Sequence, residues 1–589
     1  MTILTHQLSR FLVFTFLFCS YSKSAAQDIL WEKSYGGKHA EYLFDVIPTP
    51  DYGFILAGSS LSKKTGNKTE NNRGDLDYWV WKMDEKGEPD WQKSFGGSGQ
   101  DLLRSVILTN DGGFLLAGSS QSEEGLDKKG KNRGDSDFWI IKLNAKGGEE
   151  WQKTIGGSGQ DELNSVVRTK DGGFFLAGSS ASGATQPDGP YSKGGESQGE
   201  KTSENFGGLD YWVIKIDSKG EIVWQNSFGG IYNDELRSVA LTQDGGFILG
   251  GSSNSPATPP DVHLSKGGEL SGSKTEACLG QADYWIVKLD DKGKEQWQKV
   301  IGGKGDDQLY VVHQTSSGNY ILGGNSNSES GEGKSKGNES GTDFWLVALD
   351  AEQKMLWQET YNIAKTDVLT SLVENDDHTI LLGGYAQGEV EKKAIGNRQK
   401  AKVGKALRQA QGDKTNEPKM KKGTDDYVAI KINEKGEEIW RKNVGSDGED
   451  ILKKVIETRD GGYLMAGTSK TILTADGGIK ASGDKSSGKG SNDFWVVKLK
   501  DKNKLKEPKK PVEAIPNPAT DYTNVVVGYD YTKGTATVVD IAGHVLQSFP
   551  ITDRTIPIDL QGLPEGIYIV NIRTDVQNSG VKVIKQRSK

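Results

Sequence analysis

Short apolar runs punctuated by glycine set the pattern of this chain. Ser105–Thr109 (SVILT) is followed by Asn110-Asp111-Gly112-Gly113 and then by Phe114–Ser120 (FLLAGSS). Farther on stand Phe138–Leu143 (FWIIKL), closed by an Asn-x-x-Gly turn, and Trp151–Ile155 (WQKTI), stopped by Gly156-Gly157. β-Branched and aromatic runs between Gly-rich turns predict four short strands, the glycines supplying the positive φ a hairpin turn needs. No segment combines a 3.6-residue period with the length of a helix.

The same frame recurs seven times, opened by Trp31, Trp91, Trp151, Trp224, Trp297, Trp357 and Trp440. Spacing within the frame is constant, which implies a hydrogen-bonded register that cannot slip. All length variation falls in one segment per repeat, of 17 to 40 residues, which is therefore predicted to be a surface loop. Four antiparallel strands repeated seven times predict an all-β chain built as a seven-bladed β-propeller. The frame begins on a fourth strand (Trp31–Tyr35) and ends on a third (Phe494–Leu499), so the chain ends should complete one blade by Velcro closure.

The D-[YF]-W-V-x-K-L-D and G-G-x-G-x-D blocks resemble the short propeller repeats of secreted bacterial proteins, over about residues 28–500. After a Lys/Pro-rich linker (501–514) comes a compact tail, 515–589, whose strands alternate with Gly and Pro and predict a small Ig-like β-sandwich. Its motifs are Pro516-Asn517-Pro518-Ala519, Asp540-Ile541-Ala542-Gly543, Leu563-Pro564-Glu565-Gly566-Ile567-Tyr568 and Lys582-Val583-Ile584-Lys585-Gln586. In that order they resemble the type A C-terminal sorting domain of the Bacteroidetes type IX secretion system. The resemblance implies partners: the secretion machinery, a sortase-like peptidase that removes the tail, and surface lipopolysaccharide if the protein stays attached. It also implies a cell-surface or secreted address.

Residues 1–26 fit that address. Arg10 precedes an apolar core, Phe11–Phe18, and Ser24-Ala25-Ala26 suits cleavage before Gln27, so a secretory signal peptide is expected. Without it one cysteine remains, Cys278, and no internal disulfide can form. The formal charge is −8; the leader holds Arg10 and Lys23 and no acid, so the mature chain carries −10, which disfavours nucleic acid as a partner. The basic stretch Glu391–Lys422 belongs to one repeat only and reads as a solvated insertion.

Candidate chemistry is sparse. Ten residues after each opening Trp stands an acid: Glu41, Asp101, Asp161, Asp234, Asp307, Asp367 or Asp450. A second acid heads each third strand: Asp77, Asp137, Asp210, Asp283, Asp343, Asp426 or Asp493. Both sets are expected on the face that carries the variable loops. They could ring a Ca²⁺ ion or a polyol, but strands two apart start ~10 Å from each other, whereas Ca²⁺ wants oxygens at about 2.3–2.6 Å. The competing expectation is that they cap turn amides and the serines of the intervening strand. The fourteen tryptophans are assigned to blade packing, and the lysine recurring on the third strand to an ion pair or cation–π contact. His39, His263, His313, His378 and His544 are scattered, and no zinc spacing, nucleophile elbow or phosphate loop occurs. The expectation is a non-catalytic surface module that binds protein or glycan through its loop face. The alternative is an extracellular propeller-fold hydrolase acting on glycans or peptides.

Overall fold

The computed structural model describes residues 27–184, 200–258, 272–331, 333–338, 341–388, 425–472, 474, 480–501 and 509–586. The signal-peptide expectation and the basic stretch Glu391–Lys422 lie outside them. Every regular element is a strand. Seven four-stranded antiparallel sheets form seven blades, numbered here in chain order. Blade 2 shows the plan: Asp101–Leu108, Phe114–Ser120, Asp137–Leu143 and Glu149–Ile155. The first strands of successive blades touch one another in a closed circle, so they line the axis and the fourth strands lie at the rim.

Ring closure follows the expected route. Gln27–Tyr35 is the fourth strand of blade 7 and pairs antiparallel with Asn492–Asp501, Tyr35 opposite Phe494 and Trp31 opposite Lys498.

The first strand begins four residues before the run read from sequence, because it carries a β-bulge. In blade 2 the register shifts between Leu103 and Ser105. The same shift recurs in every blade, setting one extra residue apart each time: Phe44, Arg104, Asn164, Arg237, Tyr310, Thr370 and Lys453. A bulge breaks strict alternation and so hides the start of the strand from a period-two reading. At this level the blades are stitched together. Ser119 Oγ accepts the Leu163 amide of the next blade at 2.8 Å, and Ser179, Ser252 and Asn325 repeat that bond. Blade 6 has Tyr385 at this position.

The third strands are buried almost throughout, with Lys215 and the ends of the blade 6 and blade 7 strands the exceptions. Each of their tryptophans packs on an aromatic of the preceding blade; Trp139 meets Tyr78 at 4.8 Å between centroids and Trp212 meets Phe138 likewise. The Trp139 indole N–H donates to Gln152 at 3.0 Å, a bond repeated in four other blades. Blade 6 has Val428 for the Trp and Arg441 for the Gln, so donor and acceptor are missing together. The rim tryptophans pack differently. A Cβ on Gly147, φ +78°, would stand 2.9 Å from the Trp91 ring of the blade before, which explains the glycine in that turn.

The tail is a sandwich of a three-stranded and a four-stranded sheet around Val525, Val527, Ile558, Val538, Val570 and Ile572. Its first strand, Val512–Ile515, starts within the stretch read as linker.

Candidate functional site

The two ends of the strands make two different faces. Variable loops and both acid rings lie on one, here the loop face; the Gly-rich turns lie on the other, the turn face.

On the loop face the acids are buried caps. Asp101 accepts the Gly97 amide at 2.8 Å, the Ser122 hydroxyl at 2.9 Å and the Ser120 hydroxyl. Asp161, Asp234 and Asp307 repeat the amide and serine bonds, on Gly157 and Ser182, Gly230 and Ser255, and Gly303 and Ser328. Asp367 accepts the amides of Ile363 and Ala364, and Asp450 the amide and hydroxyl of Ser446. The second ring caps the loops: Asp137 accepts the Arg133 amide at 2.7 Å and Asp77 that of Arg73 at 2.6 Å. The rings face each other across the blade junctions, Asp77 beside Asp101 and Asp137 beside Asp161. Burial, and then the neighbouring carboxylate, push Asp77 and Asp137 up to about 7 and Asp210 up to about 8, although backbone amides pull the other way.

Each described loop supplies a cation that the sequence reading passed over. Lys68, Lys128, Lys201, Lys274, Lys334 and Lys485 are almost fully buried. Lys128 Nζ donates to the Ser122 carbonyl at 2.6 Å, and Lys201 and Lys274 do the same to Ser182 and Ser255. Lys128 stands under the electrostatic pull of both Asp137 and Asp101. A lysine in a Lys-rich loop looks solvated; only the fold shows which one turns inward. Among the described residues, no group of three or more His, Cys, Asp or Glu side chains could hold a metal ion. In blade 2 the loop ammonium of Lys128 stands beside both carboxylates, Asp101 and Asp137.

On the turn face the recurring lysine is an ion-pair partner. Lys142 Nζ meets Asp111 at 2.8 Å and Glu150 at 2.8 Å. Lys82, Lys215, Lys288, Lys431 and Lys498 pair likewise with Asp51, Asp171, Asp244, Asp377 and Asp460. Blade 5 has Ala348 and Ser317 instead, so both partners are gone at once.

Three of the described histidines, His313, His378 and His544, lie beside acids. His313 Nε2 lies 3.2 Å from Glu374, His544 Nδ1 lies 2.9 Å from Asp540, and His378 Nδ1 lies 2.9 Å from Ser316 Oγ. Ser316 Oγ donates to Glu374 at 2.7 Å. A nucleophilic triad needs the hydroxyl on one imidazole nitrogen and the acid on the other. Here the hydroxyl proton goes to the carboxylate, and Nδ1 faces both groups. Cys278 donates to the Ser253 carbonyl at 2.9 Å, and burial raises its thiol, the reverse of an activated thiolate.

In the tail the sorting motifs lock one end to the other. The Asn517 side-chain amide donates to the Lys582 carbonyl at 2.7 Å while its oxygen accepts the Ile584 amide at 2.9 Å. The Pro516 carbonyl accepts the Thr523 hydroxyl at 2.7 Å, and Pro518 leads into Ala519, which bridges to Lys585. Lys585 Nζ reaches the Leu560 carbonyl at 2.5 Å. Asp540 caps the amides of Ala542 and His544 around Gly543, φ +88°. Gly566, φ +154°, precedes Ile567, and Tyr568 donates from a buried position to the Pro564 carbonyl at 2.5 Å.

A family model described as a secretion system C-terminal sorting domain matches residues 513–586. Among curated proteins, the chain is similar to the regulatory protein FlaEY of Caulobacter vibrioides, 24% identical over 250 residues. That alignment covers 42% of this chain and about a quarter of the relative, 24% of its length. Among solved structures it is similar to a protein of unknown function from Dyadobacter fermentans, at 10% identity and TM-score 0.38 over 81% of this chain and 99% of that one. It is also similar to PorZ, a surface component of the type IX secretion system of Porphyromonas gingivalis, at 9% identity and TM-score 0.22 over 94% and 100% of the two chains. The C-terminal sandwich is a type IX sorting domain, and it marks this propeller protein for export to the cell surface or the medium by that route.

Proposed function

We propose that the propeller is a non-catalytic binding module whose contact surface for protein or glycan is its loop face. The observation that carries this reading is the position of the sorting domain. Glu513 pairs with Arg459 at 2.5 Å and accepts from Tyr52 at 3.2 Å, Lys509 pairs with Glu85, and Asp553 pairs with Lys146 at 2.9 Å. All these propeller residues lie on turns, so the tail occupies the turn face of blades 7, 1 and 2 and leaves the loop face open. The buried loop lysines support the same reading, because residues beyond such an anchor can vary without unfolding the blade. In the test, the mature chain is used for pull-downs and a glycan array. A variant with every loop shortened beyond its lysine anchor is run beside it. Binding should be lost on shortening; binding that persists unchanged would place the contact elsewhere. A hydrolase is the competing reading; among the described residues, Ser316, His378 and Glu374 are the cluster it would have to use. Turnover of a glycan or peptide that disappears in Ser316→Ala would replace the binding reading.

A further inference from the structure

The bulge residues around the axis differ from blade to blade. Arg104, Arg237 and Lys453 are the charged members of that ring, and all three are cations. Arg104 lies 4.4 Å and Lys453 5.8 Å from the Phe44 ring centroid, and Arg237 lies 5.8 Å from that of Tyr310. Blades 4 and 7 are not neighbours, so the repulsion of Lys453 by Arg237 acts across the axis. Burial first, and then Arg104 and Arg237, pull Lys453 down to about 8; burial also lowers Arg104. Among the described residues neither Arg104 nor Lys453 has a hydrogen-bond or ion-pair partner. Glu162 acts on Arg104 from beyond ion-pair range, and Glu235 takes one N–H of Arg237. Asn164 and Thr370 donate to carbonyls of later blades, Leu236 at 2.8 Å and Leu452 at 3.0 Å, and leave the axis to the cations.

Half-buried like charges around one axis, of which only Arg237 is paired directly with a carboxylate, are costly, and a charge-matched ligand removes that cost. The mature chain carries −10, so its overall charge would repel an anion; attraction has to be local. We propose that the axial channel binds an oxyanion, a phosphate or sulfate group, held by Arg104, Arg237 and Lys453, with the Phe44 and Tyr310 rings beside its carrier. The site goes beyond the loop-face reading, since the inner strands and not the loops build it.

The test is calorimetric titration of the mature chain with inorganic phosphate and with glucose 6-phosphate. Saturable binding of at least one is expected. Tighter binding of the sugar phosphate would mean a carried group, and equal binding a free ion. Arg104→Gln with Lys453→Gln should weaken binding at least about tenfold. The same pair should raise the phosphate-free Tm, which reports folding independently, and Lys453→Arg should keep binding. The loop-shortened chain should also keep it, so the two readings can fail separately. Absence of saturable binding by the wild type, or unchanged affinity in the folded Gln variants, would overturn the proposal. If the double variant does not fold, Lys453→Gln alone is judged by the same criteria.

Discussion

On the loop face each blade junction buries carboxylates, with a loop ammonium held against them wherever the loop is described. On the turn face each blade but one sets a carboxylate at the surface against a lysine rooted in the sheet. The residue types are the same and the electrostatic outcomes are opposite. Burial and a neighbouring carboxylate raise Asp77, Asp137 and Asp367 to about 7. For Asp111 and Asp377 burial also pushes upward, but the Lys142 or Lys431 ammonium and a threonine hydroxyl outweigh it. Both end below the usual carboxylate value, Asp377 at about 2. A lysine ammonium bonded directly to the carboxylate decides the sign: Asp51 is buried as well and still falls below the usual value, because Lys82 donates to it.

The strongest break in this comparison should be Asp101→Ala. It orphans the Gly97 amide and two serine hydroxyls and leaves Lys128 with one carboxylate fewer. A loss of about 3–5 kcal/mol is expected in denaturant unfolding. Asp101→Asn, which keeps an acceptor oxygen, should lose less than half of that. Equal losses would mean that the charge, and not the shape or the acceptor oxygen, is what the junction needs.

The pH dependence of Tm separates the two faces next. A raised folded pKa contributes stability that is complete below the unfolded value of about 4 and is lost as pH climbs to about 7. A depressed one contributes stability present above about 4 and lost only as pH falls toward about 2. Because loop-face groups shift up and turn-face groups down, Tm should peak near pH 4–5 and decline toward pH 7.5. A flat profile between pH 5 and 8 would show that the loop lysines cancel the carboxylate repulsion completely.

On the turn face, Asp111 and Glu150 are exposed enough for water to screen them, so effects shrink. Lys142→Ala should cost about 1 kcal/mol, and Asp111→Ser about 1–2 because it leaves a buried ammonium with one carboxylate beside the Leu143 carbonyl. The double variant, which copies the Ala348 and Ser317 of blade 5, should cost about 1 kcal/mol less than the sum. Strict additivity in the double-mutant cycle would remove the idea that blade 5 lost its pair as a unit.

How much of this was legible follows from what repetition can reveal. The seven blades, the closing strand and the sorting motifs were readable because spacing does not drift. The capping role of the acids was readable as well, from geometry alone. The inner-strand bulge was not, since one extra residue destroys the period on which strand reading depends. The loop lysines were missed because nothing in a Gly- and Ser-rich stretch tells an inward lysine from an outward one. Two signals stood in the sequence unused. Val428 and Arg441 depart from the frame in the same blade, and so do Ala348 and Ser317. Departures that coincide within one repeat mark partners in space, as the indole–glutamine and lysine–aspartate bonds of the other blades show.

The smallest effect is expected at a turn. Blades 1, 2, 3, 4 and 6 place a positive-φ glycine in the turn between the third and fourth strands: Gly87, Gly147, Gly220, Gly293 and Gly436. Blade 5 has Gln353 there, at φ +64°. A side chain with a Cβ pays steric strain in that conformation, of about 1–2 kcal/mol, partly offset by the smaller entropy it loses on folding. Gln353→Gly should therefore stabilise the chain by ~0.5–1 kcal/mol, read as a higher denaturant midpoint at unchanged m-value. The reverse change, Gly147→Gln, should cost more than this, because its new Cβ would also meet the Trp91 ring. If the two substitutions were equal and opposite, the rim tryptophan would have no part in selecting glycine, and backbone strain alone would account for the repeat.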